Sequence, residues 1–225
     1  MKESMVKREK RIETLLHDIK HANSGDEYAL QFSVDAKKYR LIPITYKDQE
    51  SRNAVILLTA WRKKNDWWFP SQFKVTYEGT KRWLTSQLLE KKGRVLFFLE
   101  DEKRNKIGHL GLYSFDFKHN SCEIDNVIRG EESAPGVMTD ALNTLMQWTY
   151  DVLKIKTMYL RVFSDNERAI KLYRRCNFVD DDLIPLVKEV RDDGTYWIED
   201  SKMKAKPERS FLKMRHVPKK LKDTR

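Results

Sequence analysis

The sequence predicts an α+β domain, in which strands and helices occupy separate stretches of the chain. One observation is that three strand-like segments, 95–99, 107–117 and 122–128, follow each other through short turns, as in an antiparallel sheet. The other is the order that follows, in which a loop leads into a long amphipathic helix, a strand and a second amphipathic helix. A strand–loop–helix–strand–helix unit over 122–176 is therefore expected at the centre of the fold.

The N-terminal segment predicts a helix over residues 1–20. Its apolar residues form one stripe among charged ones: Ile12, Leu15, Leu16 and Ile19. This helix has two interpretations, as a cap on the main domain or as one side of a dimer. The expected parts of the chain are a helical and strand extension over 1–38, the main domain over 39–217 and a basic tail over 218–225.

The remaining elements are separated by polar breaks and turn residues. Strands are expected near 28–34, 39–45, 183–190, 196–199 and 210–217, and helices over 51–64 and 76–91. A turn of the type Asp-Asp-Gly at 192–194 joins two of the late strands into a hairpin. This hairpin is interpreted either as a flap beside a substrate or as a plain surface hairpin.

Composition limits the class of protein. With 225 residues and 40% hydrophobic content, the chain is long and apolar enough for a core, which excludes a disordered protein. No apolar run approaches the roughly 18 residues of a membrane span, and the N-terminus lacks the apolar core of a signal peptide, so a cytoplasmic location without membrane insertion is expected. Cys122 and Cys176 are expected to be reduced and structural, which leaves no disulfide scaffold and no zinc site.

The net charge of +10 is concentrated at the two ends of the chain, residues 1–11 and 202–225. The body between them is close to neutral. Basic ends have three interpretations, which are nucleic-acid binding, solvated terminal charge and local attraction of an anionic substrate. We expect solvated ends and no nucleic-acid partner.

The stretch 160–178 joins a strand to a strongly basic helix. Residues 160–163 have the period of a half-buried strand, and Ser164 and Asp165 stand where a helix N-cap belongs. The inner face of the helix carries Ala169, Leu172, Tyr173 and Cys176. Helical spacing alone favours a core role for Tyr173.

The same stretch contains the pattern V-x3-N-x2-A-x2-L-Y-x3-[G/N]-F, formed by Val162, Asn166, Ala169, Leu172, Tyr173, Asn177 and Phe178. This pattern resembles the CoA-proximal motif of the GNAT superfamily of acyl-CoA-dependent N-acyltransferases. The resemblance implies a GNAT fold, with a central mixed, mostly antiparallel sheet flanked by helices, and acyl-CoA as co-substrate without a metal. It also implies that Asn166 binds the pantetheine arm or orders the turn, and that the Tyr173 phenol protonates the departing CoA thiolate.

A second resemblance lies in the loop before the long helix. The family places a Q/R-x-x-G-x-[G/A] loop there, and its backbone amides hold the CoA pyrophosphate at the helix N-terminus. In this chain Gly136 matches, while Ser133 replaces the Arg and Met138 replaces the last small residue. The CoA-binding residues implied by both resemblances are Val127, Ile128, Arg129, Ser133, Gly136, Val137, Met138, Asn166 and Tyr173.

The strand before that loop carries the acidic groups that N-acyl transfer requires. An amine is mostly protonated at neutral pH, so attack on a thioester needs a base within reach of the ammonium. Glu123 is the first candidate for this base and Asp125 the second, while Asp125 and Asn126 are candidate acceptor contacts. The other interpretations are that the carboxylates face solvent or pair with basic residues, and that His109 is the base or a structural histidine.

Trp67, Trp68 and Phe69 precede Pro70 in a loop. Large aromatic residues in a loop either plug the edge of a core or form a recognition wall. In the second case the three rings would stack on a flat or ring-shaped group of the acceptor.

The segments IDNVIRGEES and WWFP, with 160–178, resemble the GNAT enzymes that acylate amino sugars carried on nucleotide diphosphates. This implies transfer of an acetyl or short hydroxyacyl group from CoA to the amine of a dTDP- or UDP-linked amino-dideoxy sugar, for surface-polysaccharide synthesis. The amine would attack directly in a ternary complex, in a protein that is a monomer or a homodimer. Alternatives are a protein or ribosomal N-terminus, a polyamine, which calls for an acidic acceptor pocket, and a non-catalytic basic nucleic-acid-binding module.

Overall fold

The computed structural model describes residues 3–200 and 206–218. The helices of this part are α1 (Met5–His21), α2 (Tyr46–Glu50), α3 (Arg52–Lys64), α4 (Tyr77–Trp83), α5 (Val137–Trp148) and α6 (Glu167–Arg175). The strands are β1 (Leu30–Val34), β2 (Lys37–Pro43), β3 (Ser71–Phe73), β4 (Val95–Glu100), β5 (Lys106–Asp116), β6 (Ser121–Arg129), β7 (Thr157–Phe163), β8 (Phe178–Arg191), β9 (Gly194–Glu199) and β10 (Arg209–His216).

The described strands form one sheet in the order β1-β2-β4-β5-β6-β7-β10-β8-β9-β3. Neighbouring strands are antiparallel except β6 and β7, which are parallel and joined by α5. The predicted α+β class, the mixed and mostly antiparallel sheet and the N-terminal helix are confirmed. Two predicted helices continue as single π-helical turns, Leu84–Leu89 after α4 and Thr149–Leu153 after α5.

The sheet separates two apolar layers. Helices α1, α5 and α6 pack on one face, where Leu16, Leu145 and Ile170 belong to a single cluster with the inward residues of the central strands. Helices α3 and α4 with the following turn cover the other face, where Trp61 and Leu88 pack on Phe98. Side chains of a strand alternate between these faces, so each central strand contributes to both layers.

Helix α1 is held to the main domain by both packing and hydrogen bonds. Ile12, Leu16 and Ile19 are almost fully buried. The Arg11 guanidinium donates to the carbonyl oxygens of Val152 and Leu153 at 3.0 and 3.1 Å. Because these carbonyls end the long α5 segment, the cation neutralises a helix C-terminus as well as fixing α1.

The parallel pairing of β6 and β7 is short. It joins Ser121–Glu123 to Thr157–Tyr159, and β6 then continues to Arg129 without a ladder to β7. On its other side β6 is irregular, because Asp125 lies opposite Gly111 and Ile128 lies opposite His109. Asn126 lies in this bulge with a φ of 52°, a left-handed conformation that asparagine tolerates. The two strands therefore separate and leave a cleft.

Two local features differ from the sequence predictions. The N-cap of α6 is Asn166, whose side-chain oxygen accepts from the Ala169 amide at 3.2 Å, and not Ser164 or Asp165. The three-residue strand β3 was not predicted, because it is too short to show a period. It pairs with β9 and thereby joins the loop that carries Trp67 and Trp68 to the late hairpin.

Other predictions have mixed outcomes. Cys122 and Cys176 are both free and buried, as expected. No helix among the described residues is long and apolar enough to cross a membrane. The tail prediction falls mostly on residues 219–225, which lie outside the described residues, and the predicted domain boundaries stay predictions.

The docking of α1 can be tested by removing part of its apolar stripe. Leu16→Ala should lower the free energy of unfolding by about 3 kcal/mol, because it leaves a cavity under a side chain that is 1% exposed. Leu183→Ala is the control, since it removes the same atoms from a side chain that is 58% exposed. Urea unfolding of both variants measures the difference, and equal midpoints would mean that α1 contributes nothing to the core.

Candidate active site

One cavity runs through the cleft between β6 and β7, from the side of the sheet that carries α5 and α6 to the face that carries α3 and α4. Its volume is about 1170 Å³, above the roughly 300–1,000 Å³ of a typical small-ligand site. We call the part lined by residues 129–138 and 166–175 the loop end. The part lined by residues 58–83, 94 and 197–199 is the acceptor end, and β6 and β7 lie between the two.

The loop end contains the N-terminus of α5. Gly136 is its N-cap, with a φ of 89° and no side-chain cap, so the first amides of the helix are not covered by a capping group. Arg129 donates to the carbonyl oxygens of Glu131 and Ser133 at 3.3 and 3.4 Å and so holds the loop in place. An open helix N-terminus is a site for phosphate groups.

Three guanidinium groups line the loop end, those of Arg129, Arg168 and Arg175. Their positive charge adds to that of the helix end. Ser133, Met138 and Asn166 also line it. The residues at this end thus fit the diphosphate and pantetheine parts of CoA, with amides and cations for the phosphates and an apolar wall for the arm.

Tyr173 lies where α6 meets the cleft. It is 7% exposed and lines the cavity. Its ring packs edge-on against that of Phe178, with 6.0 Å between the ring centres. Burial, with a smaller contribution from Cys176 and Asp125, raises the pKa of its phenol well above the usual value. The group is therefore protonated at neutral pH and its hydroxyl hydrogen can be donated.

Glu123 and Arg161 form a bidentate ion pair in the middle of the cavity. The Nε and Nη2 atoms of Arg161 donate to the two Glu123 oxygens at 2.9 and 3.0 Å. A third guanidinium nitrogen donates to Glu199 at 2.5 Å, so one cation serves two carboxylates. Burial raises the pKa of the Glu123 carboxyl above its usual value, against the opposing effect of Arg161.

Asp125 lies closer to the cleft and is bound on one side only. Arg94 donates to its Oδ2 at 2.5 Å. The guanidinium carbon of Arg94 lies 4.7 Å from the centre of the Tyr113 ring and 5.3 Å from that of Trp83. In the part of the chain that the structure describes, no group donates to the other oxygen, Oδ1. The Asp125 charge contributes to raising the pKa of Tyr173 and opposes the lowering of the pKa of His109.

His109 is a neutral residue of the cavity wall. The carbonyl oxygen of Asn126 can only accept, so the ring nitrogen Nδ1, 2.8 Å away, carries the proton. Burial lowers the pKa of His109 to about 4, which makes it a weak base at neutral pH. Its Nε2 is left as a hydrogen-bond acceptor.

Aromatic side chains cover the wall of the acceptor end. Trp68 and Phe69 lie in it, together with Phe73, Trp83 and Trp197. Phe69 also packs against the core under α3, so for this residue both interpretations of the loop apply. Trp67 does not line the cavity and is 59% exposed.

The cavity brings together the predicted residues of the β6 strand, the α5 loop and α6, with the exception that Val137 is buried in the core behind the loop. Sequence reasoning missed Arg94, Arg161 and Glu199. Strand alternation could have found Arg161, because it lies on the face opposite Leu160 and Val162. Arg94 and Glu199 reach the site from distant strand ends and leave no local signal.

Residues 38–179 match the model of the Acetyltransferase (GNAT) domain. The chain belongs to the GNAT acetyltransferase family. This confirms the predicted class of enzyme, an acyl-CoA-dependent N-acyltransferase, and with it acyl-CoA as the co-substrate of that class. The match covers the cleft, the loop end and α6, and it ends at Val179, before the late strands that complete the acceptor end.

Among the curated relatives are two spermidine N(1)-acetyltransferases. The one from Vibrio cholerae is 30% identical over 100 residues, which are 44% of this chain and 57% of the relative. The one from Escherichia coli K12 is 32% identical over 73 residues, which are 32% of this chain and 39% of the relative. The chain therefore spans about half the length of the curated relatives it matches.

Solved structures share the fold. A spermidine N-acetyltransferase from Vibrio cholerae in complex with CoA and spermine superposes with a TM-score of 0.58 at 20% identity, over 79% of this chain and 94% of that one. A probable GNAT acetyltransferase from Chromobacterium violaceum gives 0.62 at 16% identity, over 88% of both chains.

The prediction of a nucleotide-linked amino sugar as acceptor is wrong. The predicted role in surface-polysaccharide synthesis depended on that acceptor and is wrong as well. The curated relatives are spermidine N(1)-acetyltransferases, which favours the polyamine alternative. The physical reason lies at the acceptor end, where Arg62, Arg94 and Arg161 are each paired with a carboxylate. These guanidinium groups are thereby unavailable to the diphosphate of an anionic partner.

The role of Tyr173 can be tested by removing its hydroxyl. Tyr173→Phe should lower kcat about a hundredfold, because the thiolate loses its acid, while the KM for acetyl-CoA stays close to wild type. Tyr150→Phe is the control, since that hydroxyl bonds His216 at 2.7 Å outside the cavity. Steady-state kinetics measures both, and an unchanged kcat in Tyr173→Phe would remove the assigned role.

Buried His109 should make stability depend on pH. Folded His109 stays neutral down to about pH 4, whereas an unfolded histidine gains its proton near 6.5, so the unfolded state binds more protons within this window. The free energy of unfolding should therefore fall by roughly 2 kcal/mol between about pH 7 and about pH 5 on account of His109.

The contribution of His109 is isolated by comparing variants. His109→Gln should lose that part of the pH dependence, while His17→Gln, on the exposed side of α1, should keep it. Urea unfolding of each variant at both pH values gives the change in the free energy of unfolding with pH. An equal change in wild type and His109→Gln would show that His109 is not held neutral by burial.

Proposed function

We propose that the protein transfers an acetyl group from acetyl-CoA to a primary amine of a polyamine. The observation that carries the acceptor is the charge at the acceptor end. Arg62 pairs with Asp66 and Arg94 with Asp125, but Arg161 is shared by Glu123 and Glu199, which leaves one carboxylate in excess. Asp66 pairs with Arg62 beside the cavity and does not line it, so the excess belongs to this cluster of ion pairs as a whole, and its negative charge attracts a cationic substrate to the acceptor end. The spermidine acetyltransferases among the relatives support the same class.

The aromatic wall suits the same acceptor. A polyamine alternates ammonium groups with short alkyl chains. The rings of Trp68, Trp83 and Trp197 offer apolar area to the alkyl part and π-faces to the cations. The Trp197 indole N–H is buried without a hydrogen-bond partner among the described residues.

The acceptor amine must lose a proton before it attacks the thioester carbonyl. Asp125 is better placed than Glu123 to receive this proton, directly or through a water. Both Glu123 oxygens are occupied by Arg161, whereas Oδ1 of Asp125 has no donor among the described residues. Glu123 then keeps Arg161 in place, and Nε2 of His109 accepts a hydrogen bond from the amine or the water.

The acid step belongs to Tyr173. As the carbon–sulfur bond breaks, its hydroxyl donates the proton that neutralises the thiolate. Asp125 then releases to solvent the proton it took from the amine, the phenolate regains a proton from solvent, and the restored charge of Asp125 favours the protonated phenol. Attack is direct, because Cys122 and Cys176 are buried with raised pKa values and cannot act as nucleophiles.

At the loop end, the amides at the start of α5 with Arg168 and Arg175 would bind the phosphates of CoA, while Arg129 holds the loop. Asn166 orders the turn before α6, because its side-chain oxygen caps the helix by accepting from the Ala169 amide. This oxygen is not assigned to the pantetheine arm. A cytoplasmic location and a homodimer stay predictions. A dodecamer is described for the spermidine N-acetyltransferase of Vibrio cholerae.

The acceptor class is tested by thiol release from acetyl-CoA over a panel of amines. The panel contains spermidine, spermine, a monoamine of similar chain length and peptides with a free N-terminus. We expect transfer to the polyamines. Transfer to the monoamine should be weak, because its single positive charge binds less strongly to the carboxylates of the acceptor end. Activity confined to peptides would overturn the polyamine proposal and leave the enzyme class standing.

The charge argument is tested by removing Glu199. Glu199→Gln should raise the KM for spermidine two- to fivefold, because the loss of one half-exposed carboxylate weakens cation binding by roughly 0.5–1 kcal/mol. The KM for acetyl-CoA should not change. Glu189→Gln is the matched control, since Glu189 also pairs with an arginine, Arg191, but lies outside the cavity. Equal KM values in both variants would contradict the role of the carboxylate excess.

A further inference from the structure

Two guanidinium groups contact the aromatic segment over residues 66–73. The Arg62 guanidinium carbon lies 3.9 Å from the centre of the Phe69 ring and 5.3 Å from that of Phe73. Arg62 also donates to Asp66 at 2.5 Å and to the carbonyl oxygen of Ser71. The second guanidinium group belongs to Arg209, the first residue of β10.

Arg209 occupies a cage of four rings. Its guanidinium carbon is 3.4 Å from the centre of the Phe163 ring, 5.1 Å from Trp67, and 5.6 Å from both Trp68 and Trp197. Only 6% of its side chain is exposed. A planar cation that is shielded from water in this way interacts strongly with aromatic faces.

Hydrogen bonds fix the same guanidinium in direction. Its Nε and Nη2 atoms donate to the Asp165 carboxylate at 3.0 to 3.1 Å, and Nη1 donates to the carbonyl oxygen of Trp67 at 3.2 Å. Asp165 directly precedes Asn166, which caps the helix that carries Tyr173. One side chain thus joins the start of β10, the aromatic segment and the turn before α6.

Arg209 does not line the cavity, but Trp68, Phe163 and Trp197 do. Its effect on a bound molecule must therefore pass through these rings. Without the cation, Trp68 and Trp67 lose the group that orders them, since both are partly or largely exposed. A loosened ring must be ordered again whenever a ligand binds, which weakens binding.

We propose that Arg209 is a positioning residue for acceptor binding, which fixes the rings of Trp68 and Trp197 at the acceptor end. The inference rests on the proposed function, because it requires that an amine is acetylated in this cavity. It assigns the contribution of Arg209 to the acceptor and not to CoA, whose binding residues lie at the loop end.

The test compares Arg209→Met, Arg209→Lys and a control. Arg209→Met should raise the KM for spermidine about tenfold, the cost of ordering one or two side chains on binding, with kcat and the KM for acetyl-CoA little changed. Arg209→Lys keeps the charge without the planar fork and should lie between wild type and Arg209→Met. Arg191→Met is the control, since Arg191 also stacks on a ring, that of Tyr196 at 4.3 Å, but lies outside the cavity.

Tryptophan fluorescence supplies a second readout. Acrylamide should quench emission more in Arg209→Met than in wild type, because the Trp67 and Trp68 rings become more accessible, and Arg191→Met should match wild type. If Arg209→Met does not fold, Asp165→Asn takes its place in the same measurements. It weakens the hydrogen bonds between the Arg209 guanidinium and residue 165 while keeping the cation. An unchanged spermidine KM in the folded variant, or an equal rise in the KM for acetyl-CoA, overturns the inference.

Failure of the inference is distinguishable from failure of the proposed function. Where the wild type transfers acetyl to another amine of the panel, that amine replaces spermidine in the test and only the polyamine proposal falls. Where the wild type transfers to none of the amines, the proposed function itself is overturned. Transfer by wild type with Arg209→Met unchanged removes the role of Arg209 alone.

Discussion

The separation of β6 from β7 is the constraint on which the site depends. The two parallel strands stay paired only as far as Glu123 and Tyr159, and the bulge at Asn126 turns β6 away from its neighbour. Backbone amides that a regular sheet would use for its ladder are thereby left at the cleft. The cleft is thereby open toward both faces of the sheet, next to the strand that carries Asp125.

The two ends of the cavity differ in charge because each is built from different elements. The loop end combines the N-terminus of α5 with Arg129 at the end of β6 and with arginines of α6. At the acceptor end, arginines serve mainly to hold carboxylates and rings in place, as Arg94 holds Asp125 and Arg62 holds Phe69. The same residue type thus provides free charge at one end and structural support at the other.

Much of the fold was predictable from the sequence, since α1, α3 and α5 have a clear helical period and β4 to β7 are strand-like runs bounded by turns or helices. The residues of the Tyr173 motif were predictable for a related reason, because helix spacing and the family pattern agree there. The insertion of β10 between β7 and β8 was not, as pairing between distant strands leaves no local pattern. The acceptor was predicted wrongly because it rested on the resemblance of short segments. The near-neutral charge averaged over the body of the chain does not show that Glu123 and Glu199, distant in sequence, both pair with Arg161.

The burial of both cysteines has a practical consequence. Burial raises the pKa of Cys122 far above its usual value and that of Cys176 to about 12, so neither thiol forms a thiolate in the folded protein at neutral pH. A chromogenic thiol reagent therefore reacts with free CoA in solution and not with the cysteines of the folded protein. The same two side chains become reactive when the core opens, so their labelling rate is a direct measure of how often the native state unfolds.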